Sequence, residues 1–529
     1  MRDFEYPGRS ITMARHGMVA TSHPLASLGA IEILRRGGNA MDAAIAACAI
    51  HCVVEPGSTG IGGDCFALYC PRGQGTPIAY NGSGRTPAAA TTEWYLAHGI
   101  TEIPRQSPHA VTIPGAVEAW TRLSADHGRL PLAEVLAPAI AYAREGYAVA
   151  PRMAFDWARQ RDLLMADPGS RQIFLPDDTA PTAGQVHRQP ALADTLEGIG
   201  RNGADHFYRG AVAEGMVETL QALGGLHTLE DFSSTRGEYV TPTQSSYRGY
   251  DLFECPPNGQ GIVAQIMLNI LDGLPVGGDP LDPERIHFFI EACRLAYATR
   301  DSFVGDPQTA AIPTEWMLSS AFAESLRMQI DPGQALPPRP TIQPEHKDTV
   351  YITVVDDERN TVSFINSIFH AFGSGITTPR SGVLFHNRGQ SFFVRPGHPN
   401  TVAPKKRPMH TIIPAMLMKD DRVALSFGVM GGHYQAMGHA YVLSAILDCG
   451  LDIQQAIDLP RMFPMPGQKH VEVEKPMSHD LRAALAARGH SLVPARNPIG
   501  GGQVVSIDWD TGVLWGASDF RKDGLALGY

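Results

Sequence analysis

The chain has no excess of positive charge, no long apolar run and no paired cysteine pattern, and each absence removes a class of function. Across 529 residues, 43 Lys and Arg stand against 54 Asp and Glu, for a net charge of −11. The basic residues are dispersed, so the chain carries no electrostatic footprint for a nucleic acid and no polybasic segment for an anionic membrane surface. Small or polar ligands are the expected partners. No stretch of 18 apolar residues occurs, which argues against a membrane-spanning helix. The opening MRDFEYPGRSITMARHG is charged and lacks the apolar centre of a secretion signal, so a cytoplasmic location is expected.

The seven cysteines (Cys48, Cys52, Cys65, Cys70, Cys255, Cys293 and Cys449) are an odd number in a large chain, and most sit in apolar stretches. They read as reduced core residues, not as a disulfide framework. Neither Cys48/Cys52 nor Cys65/Cys70 is a CxxC pair, and no His/Cys set completes a zinc site; no metal and no cofactor are expected. A GxSxG elbow, an HExxH pair and a Walker A loop are also missing. An α/β-hydrolase, a zinc protease and a P-loop enzyme are thereby disfavoured. The glycine run Thr59-Gly60-Ile61-Gly62-Gly63-Asp64 lacks GxGxxG spacing and is read as a place of close backbone approach.

What is present has a clear order. Residues 24–36 have helical apolar spacing and stop at Gly37-Gly38; Asn39 then caps an almost wholly apolar helix over about 40–53. Strands are expected at 65–70 and 77–81, the latter ending in the polar turn Gly82-Ser83-Gly84-Arg85. Arg85 is there either a surface charge or an anion ligand. Residues 110–235 are mainly helical, strands return near 238–240 and 250–254, and helices follow over about 261–271 and 283–303. From residue 349 onward strands dominate (349–355, 361–369, 382–387, 411–418, 423–429), helices follow at 435–447 and 453–459, and late strands lie near 503–507 and 514–517. Length alone allows three or four domains or one large sandwich. Helices before the sheet, consecutive hairpins within it and helices after it favour an α+β layered sandwich with antiparallel strands over a doubly wound parallel sheet.

The stretch KDTVYITVVD marks the change. Thr349 opens an apolar strand, and residues 331–346 before it hold five prolines, the composition of an extended connector. A hydroxyl at the mouth of a rigid sheet, after a cleavable segment, suits an enzyme that cuts its own chain and then uses the freed α-amino group as a base. The plain alternative is an ordinary strand threonine. Downstream, Gly431-Gly432 end a strand just before the helix at 435, where unobstructed backbone N–H groups can gather around a developing oxyanion; alone, such a pair is usually a turn.

Several segments together resemble the γ-glutamyltranspeptidase family of N-terminal nucleophile hydrolases. They are Gly38-Asn39-Ala40-Met41-Asp42-Ala43-Ala44, Val54-Glu55-Pro56, Thr59-Gly60-Ile61-Gly62-Gly63, Thr112-Ile113-Pro114-Gly115-Ala116-Val117, KDTVYITVVD, Phe372-Gly373-Ser374-Gly375, Lys406-Arg407-Pro408 and Gly431-Gly432. The resemblance implies a four-layer αββα sandwich made as one precursor. Thr349 would attack the Asp348 carbonyl and divide the chain into a large subunit (1–348) and a small subunit (349–529) that stay together, with a homo-oligomer of that heterodimer also allowed. It further implies Thr349 as nucleophile, Gly431 and Gly432 as oxyanion donors, and Ser367 as an assisting hydroxyl.

The departures bear on substrate. Where the family grips a glutamyl group, this chain places Ser83 (with Arg85 two residues on) at the arginine position and Phe369 at the asparagine position. Ser391, beside Gln390, takes the acidic position, and His410-Thr411 take the serine pair. Unpaired groups of a glutamyl moiety would cost about 1–3 kcal/mol each there. The expectation is therefore a small amide that carries a carboxylate and no amino group, with Arg85 and His410 as anion ligands, as in the oxamate amidohydrolase branch. A γ-glutamyltransferase or glutathione hydrolase is the first alternative, and an unprocessed, non-catalytic relative is the second.

Overall fold

The computed structural model describes residue 5, residues 8–337 and residues 349–529. The expected helical hairpin is present as Pro24–Arg35 and Ala40–Val54. The second helix starts at a capping box: the Asn39 side chain accepts from the N–H groups of Met41 and Asp42, and the Asp42 carboxylate accepts from the Asn39 N–H. Every residue of this helix is buried, as its apolar composition on all sides requires.

That hairpin packs on a seven-stranded antiparallel sheet ordered Leu525–Gly528, Met18–Thr21, Val350–Val355, Thr361–Ser367, Asp64–Cys70, Ile78–Gly82 and Glu238–Val240. A second seven-stranded antiparallel sheet runs Thr12–Ala14, Leu514–Ser518, Gly501–Ile507, Arg422–Met430, Ala415–Lys419, Tyr250–Glu254 and Thr243–Tyr247. The helices Gly261–Leu271 and Tyr434–Leu447 cover its outer face. Apolar cores lie between helices and first sheet, between the sheets, and between second sheet and helices. The architecture is thus an α+β, four-layer αββα sandwich. Central strands buried on both faces carry continuous apolar runs, which explains why VYITVV lacks alternation.

Register decides which residues meet. Val350 pairs with Asn366, Ser367 with Asp64, and Cys65 with Gly82, so Thr349, Ser367, Asp64 and Ser83 come to one edge of the first sheet. Both sheets combine strands from before residue 338 with strands from after residue 348, so the two proposed subunits share both sheets.

Some expectations need correction. Of the strand expected at 382–387, only Val383–Leu384 forms, paired with Thr377–Thr378 outside the sandwich; Gly373, Gly375 and Gly382 adopt positive φ and fold this stretch into a loop. The strand expected from 411 begins at Ala415, because His410 and Thr411 bond instead to Asn258 and Gln260. The terminal strands Thr12–Ala14, Met18–Thr21 and Leu525–Gly528 were not expected. The connector is described only to Pro337, and the cleavage residue Asp348 lies outside the described residues. Among the described residues no helix is long and apolar enough to cross a membrane.

Candidate active site

Thr349 is fully buried at the head of Val350–Val355. Its Oγ1 lies 3.3 Å from Ser367 Oγ, and Gln435 Nε2 donates to it at 3.4 Å. Gln435 is positioned by the first turn of Tyr434–Leu447, which begins directly after Gly431 and Gly432. Their φ values of 120° and 58° lie in the region that favours glycine, and a Cβ on Gly431 would stand 2.9 Å from Gly500 Cα. The turn is braced from behind. Gln260 Nε2 donates to the carbonyls of Gly432 (2.9 Å) and Thr411 (3.0 Å), and Arg300 donates to Gln260 Oε1 (2.7 Å).

The group that sequence reasoning missed is Arg388. It sits in the short 3-10 turn Arg388–Ser391 and is fully buried. Its guanidinium donates to Ser367 Oγ (3.2 Å) and Thr411 Oγ1 (2.8 Å) and lies 4.1 Å from the centre of the Phe369 ring. Nε has no hydrogen-bond partner, and no described carboxylate forms an ion pair with this arginine. Burial pulls its pKa down to about 9 against the longer-range pull of Asp64. An arginine in a polar loop reads as solvated in sequence, and nothing in its spacing marked it as buried.

Phe369 takes up its position with φ 81°, an uncommon conformation for an aromatic residue and one that costs about 1–3 kcal/mol. That geometry turns its N–H onto Ser367 Oγ (3.0 Å) and its ring under Arg388. At the position where the family carries an asparagine, this chain has a cation–π platform.

The two anion ligands expected from sequence are engaged elsewhere. The Arg85 guanidinium is ion-paired with Asp306 (3.3 Å) and lies 3.7 Å from Glu238, and it also donates to the Lys405 carbonyl. His410 is fully buried, with Nε2 3.1 Å from Asp64 Oδ2 and Nδ1 accepting from the Ile412 N–H. Burial first, and then the Arg388 charge, lower its pKa to about 3; the ring is neutral, and both nitrogens are used. Burial would raise the Asp64 carboxyl, but His386, His410 and Arg388 together hold it at about 2. Asp64 Oδ1 also accepts from the N–H groups of Gly84 and Gly115. Ser391 Oγ faces the carbonyls of Arg388 and Met409, so it ties the arginine turn to the segment before His410. Thr411 meets Arg388 directly.

One metal-like cluster occurs among the described residues: His287, Glu291 and His490, all buried. Most of its atoms are already committed, the exception being His490 Nδ1, which has no hydrogen-bond partner. The two imidazoles bond to each other at 2.8 Å, the Glu291 oxygens accept from Arg294 and from the Leu336 N–H, and burial first, then the Arg294 charge, lowers the His490 pKa. The expected interior cysteines are free thiols, Cys449 alone being partly exposed.

A strand-initial hydroxyl, a second hydroxyl beside it and a glycine turn leading into the helix whose Gln435 reaches it, in an αββα sandwich, can carry out acyl transfer. Fold and site together define an N-terminal nucleophile hydrolase. Comparison with known proteins agrees. The gamma-glutamyltranspeptidase family profile matches residues 26–529. The glutathione hydrolase-like YwrD proenzyme of Bacillus subtilis is 36% identical over 97% of this chain and 98% of that protein. The oxamate amidohydrolase proenzyme of Klebsiella pneumoniae is 35% identical over 98% and 100%. The crystal structure of cephalosporin acylase from Bacillus halodurans superposes with a TM-score of 0.94 at 40% identity, covering 100% of this chain and 99% of that one. The chain belongs to the γ-glutamyltranspeptidase family, and it is an amidohydrolase.

Proposed function

We propose that Thr349 cuts the precursor after Asp348, leaving subunits 1–348 and 349–529, and then hydrolyses the amide of a small substrate that bears a carboxylate and no ammonium group. In the cut enzyme the Thr349 α-amino group takes the proton of its own hydroxyl, Oγ1 attacks the amide carbon, Gly431 and Gly432 hold the oxyanion, and water releases the acyl group. Arg388 anchors the substrate carboxylate, in the role that sequence reasoning gave to Arg85 and His410.

The observation that carries the substrate reading is the Arg388 guanidinium, buried one hydroxyl away from Thr349 with no ion-pair partner among the described residues. Such a charge favours an incoming carboxylate and repels an ammonium. Asp64, the acid on the same sheet edge, is already committed to His410 and two backbone N–H groups, and Ser391 and Phe369 offer no charge to a glutamyl amino group. Oxamate is the favoured substrate, in keeping with the Klebsiella relative. The Bacillus subtilis relative's name keeps glutathione hydrolysis as the alternative.

Two measurements test the proposal. Purified protein should give two bands near roughly 38 and 20 kDa, at about 110 Da per residue, with Thr349 as a new N-terminus. A single band that persists for days, with no ammonia from any amide, would instead assign a non-catalytic role. Ammonia release from oxamate should exceed glutathione turnover; the reverse order would overturn the substrate reading.

A further inference from the structure

The hydrogen bonds around Thr349 have a direction that distances alone leave open. Ser367 Oγ accepts two N–H donors, from Phe369 (3.0 Å) and Arg388 (3.2 Å). A hydroxyl oxygen has two acceptor lone pairs and one proton. With those two donors in place, Ser367 Oγ is a poor acceptor for the Thr349 proton.

The second neighbour is Gln435. Its side chain is fully buried, and its amide orientation is set by the Ile413 N–H, which donates to Oε1 at 3.2 Å. That leaves Nε2 facing Thr349 Oγ1 at 3.4 Å. Neither side chain is therefore placed to accept the Thr349 proton: Gln435 presents a donor to Oγ1, and Ser367 Oγ already receives two N–H groups.

We infer that Gln435 is a further catalytic residue, a fixed donor to the nucleophile oxygen that steers the Thr349 proton toward the α-amino base. This inference rests on Thr349 being the nucleophile. As Oγ1 bonds to the amide carbon, its proton passes to the α-amino nitrogen and then leaves on the departing amine as the C–N bond breaks. The water that later attacks the ester gives a proton to the same nitrogen, which passes it to Oγ1 as the ester C–O bond breaks and the acid leaves. While Oγ1 sheds its proton it carries partial negative charge, and again when it leaves the ester. The Gln435 N–H strengthens at both moments, and a 3.4 Å bond in the resting site has room to shorten. One helical turn thus delivers the glycine N–H groups to the carbonyl oxygen and the glutamine amide to the attacking oxygen.

Gln435→Glu separates this role from packing. It keeps an oxygen for the Ile413 N–H and nearly the same shape, but loses the donor to Thr349. The expected result is a 10- to 100-fold fall in kcat with KM within about twofold, self-cleavage slowed by a similar factor, and partial recovery of kcat on acidification as the new carboxyl gains a proton. Gln435→Met, which loses both contacts, should fall at least as far and should not recover. Thr349→Ala provides the control for the underlying reading. If Thr349→Ala is inactive while Gln435→Glu keeps wild-type kcat, the inference fails and the nucleophile stands. A raised KM with unchanged kcat in Gln435→Glu would assign the residue to packing and likewise overturn the inference. An active Thr349→Ala would overturn the reading beneath it.

Discussion

Replacing Arg388 by methionine tests the proposed substrate class most directly. The guanidinium contacts Ser367, Thr411 and the Phe369 ring, and its Nε–H is left over for a ligand. Removing one partner of a buried charged pair costs 2–5 kcal/mol. Because the Ser367 and Thr411 hydroxyls remain as neutral donors, the low end applies, about 2–3 kcal/mol. At about 1.4 kcal/mol per factor of ten, kcat/KM for oxamate should fall about 30- to 150-fold. Stability should change little: two hydrogen bonds of about 1 kcal/mol each are lost, while a burial penalty strong enough to bring this arginine's pKa down to about 9 is relieved. The assay compares ammonia release from oxamate with that from acetamide, which has no carboxylate, alongside thermal melting. The reasoning is refuted if oxamate turnover falls less than threefold, or if both amides lose the same factor while the melting temperature holds. Arg388→Lys should recover only part of the loss, since an ammonium cannot span Ser367 and Thr411 together.

Asp64→Asn should lower stability by about 2–4 kcal/mol, seen as a lower denaturant midpoint, because it removes the carboxylate whose longer-range attraction offsets the burial of Arg388; an unchanged midpoint would show that His410 and Arg388 manage without it. Gly431→Ala should reduce kcat about 100-fold or more, since the new Cβ meets Gly500 at 2.9 Å in a backbone region suited to glycine; wild-type kcat would exclude this turn as the oxyanion site. Acid should destabilise the fold below pH 6.5. His410, His439 and His490 are held near 3, and His23, His187 and His227 near 4, by burial. The unfolded chain therefore binds protons that the native state refuses, and stability present above pH 6.5 is lost as pH falls toward those values, at up to about 1.4 kcal/mol per pH unit for each histidine. Asp64, held near 2, adds a loss in the same direction between about pH 4 and pH 2. Equal melting temperatures at pH 7 and pH 5 would contradict this.

Much of the fold was legible because local pattern and tertiary need coincide. The cap at Asn39, the apolar helix behind it, the run after Thr349 and the strand ending at Gly431-Gly432 are each written in a few consecutive residues, and the structure keeps them within a few residues of the expected bounds. The terminal strands were not legible. Met18–Thr21 and Leu525–Gly528 are four residues each, too short for a periodic signal, and they are strands because Val350–Val355 offers an edge to Met18–Thr21, which in turn pairs with Leu525–Gly528.

The site divides in the same way. By itself the sequence determined the candidate nucleophile, the glycine pair and the family, because these depend on residue types held in a fixed order. Only the tertiary structure decided which cation stands beside Thr349. Arg85 was the better guess from sequence, but Asp306 and Glu238 engage it, and His410 is turned to Asp64. Arg388 is brought in from an unremarkable turn by the positive-φ bend at Phe369 and the contact with Thr411. The physical reason is that charge in a site is set by burial and by which neighbours are left to neutralise it. Those are properties of three-dimensional neighbours that no spacing along the chain records.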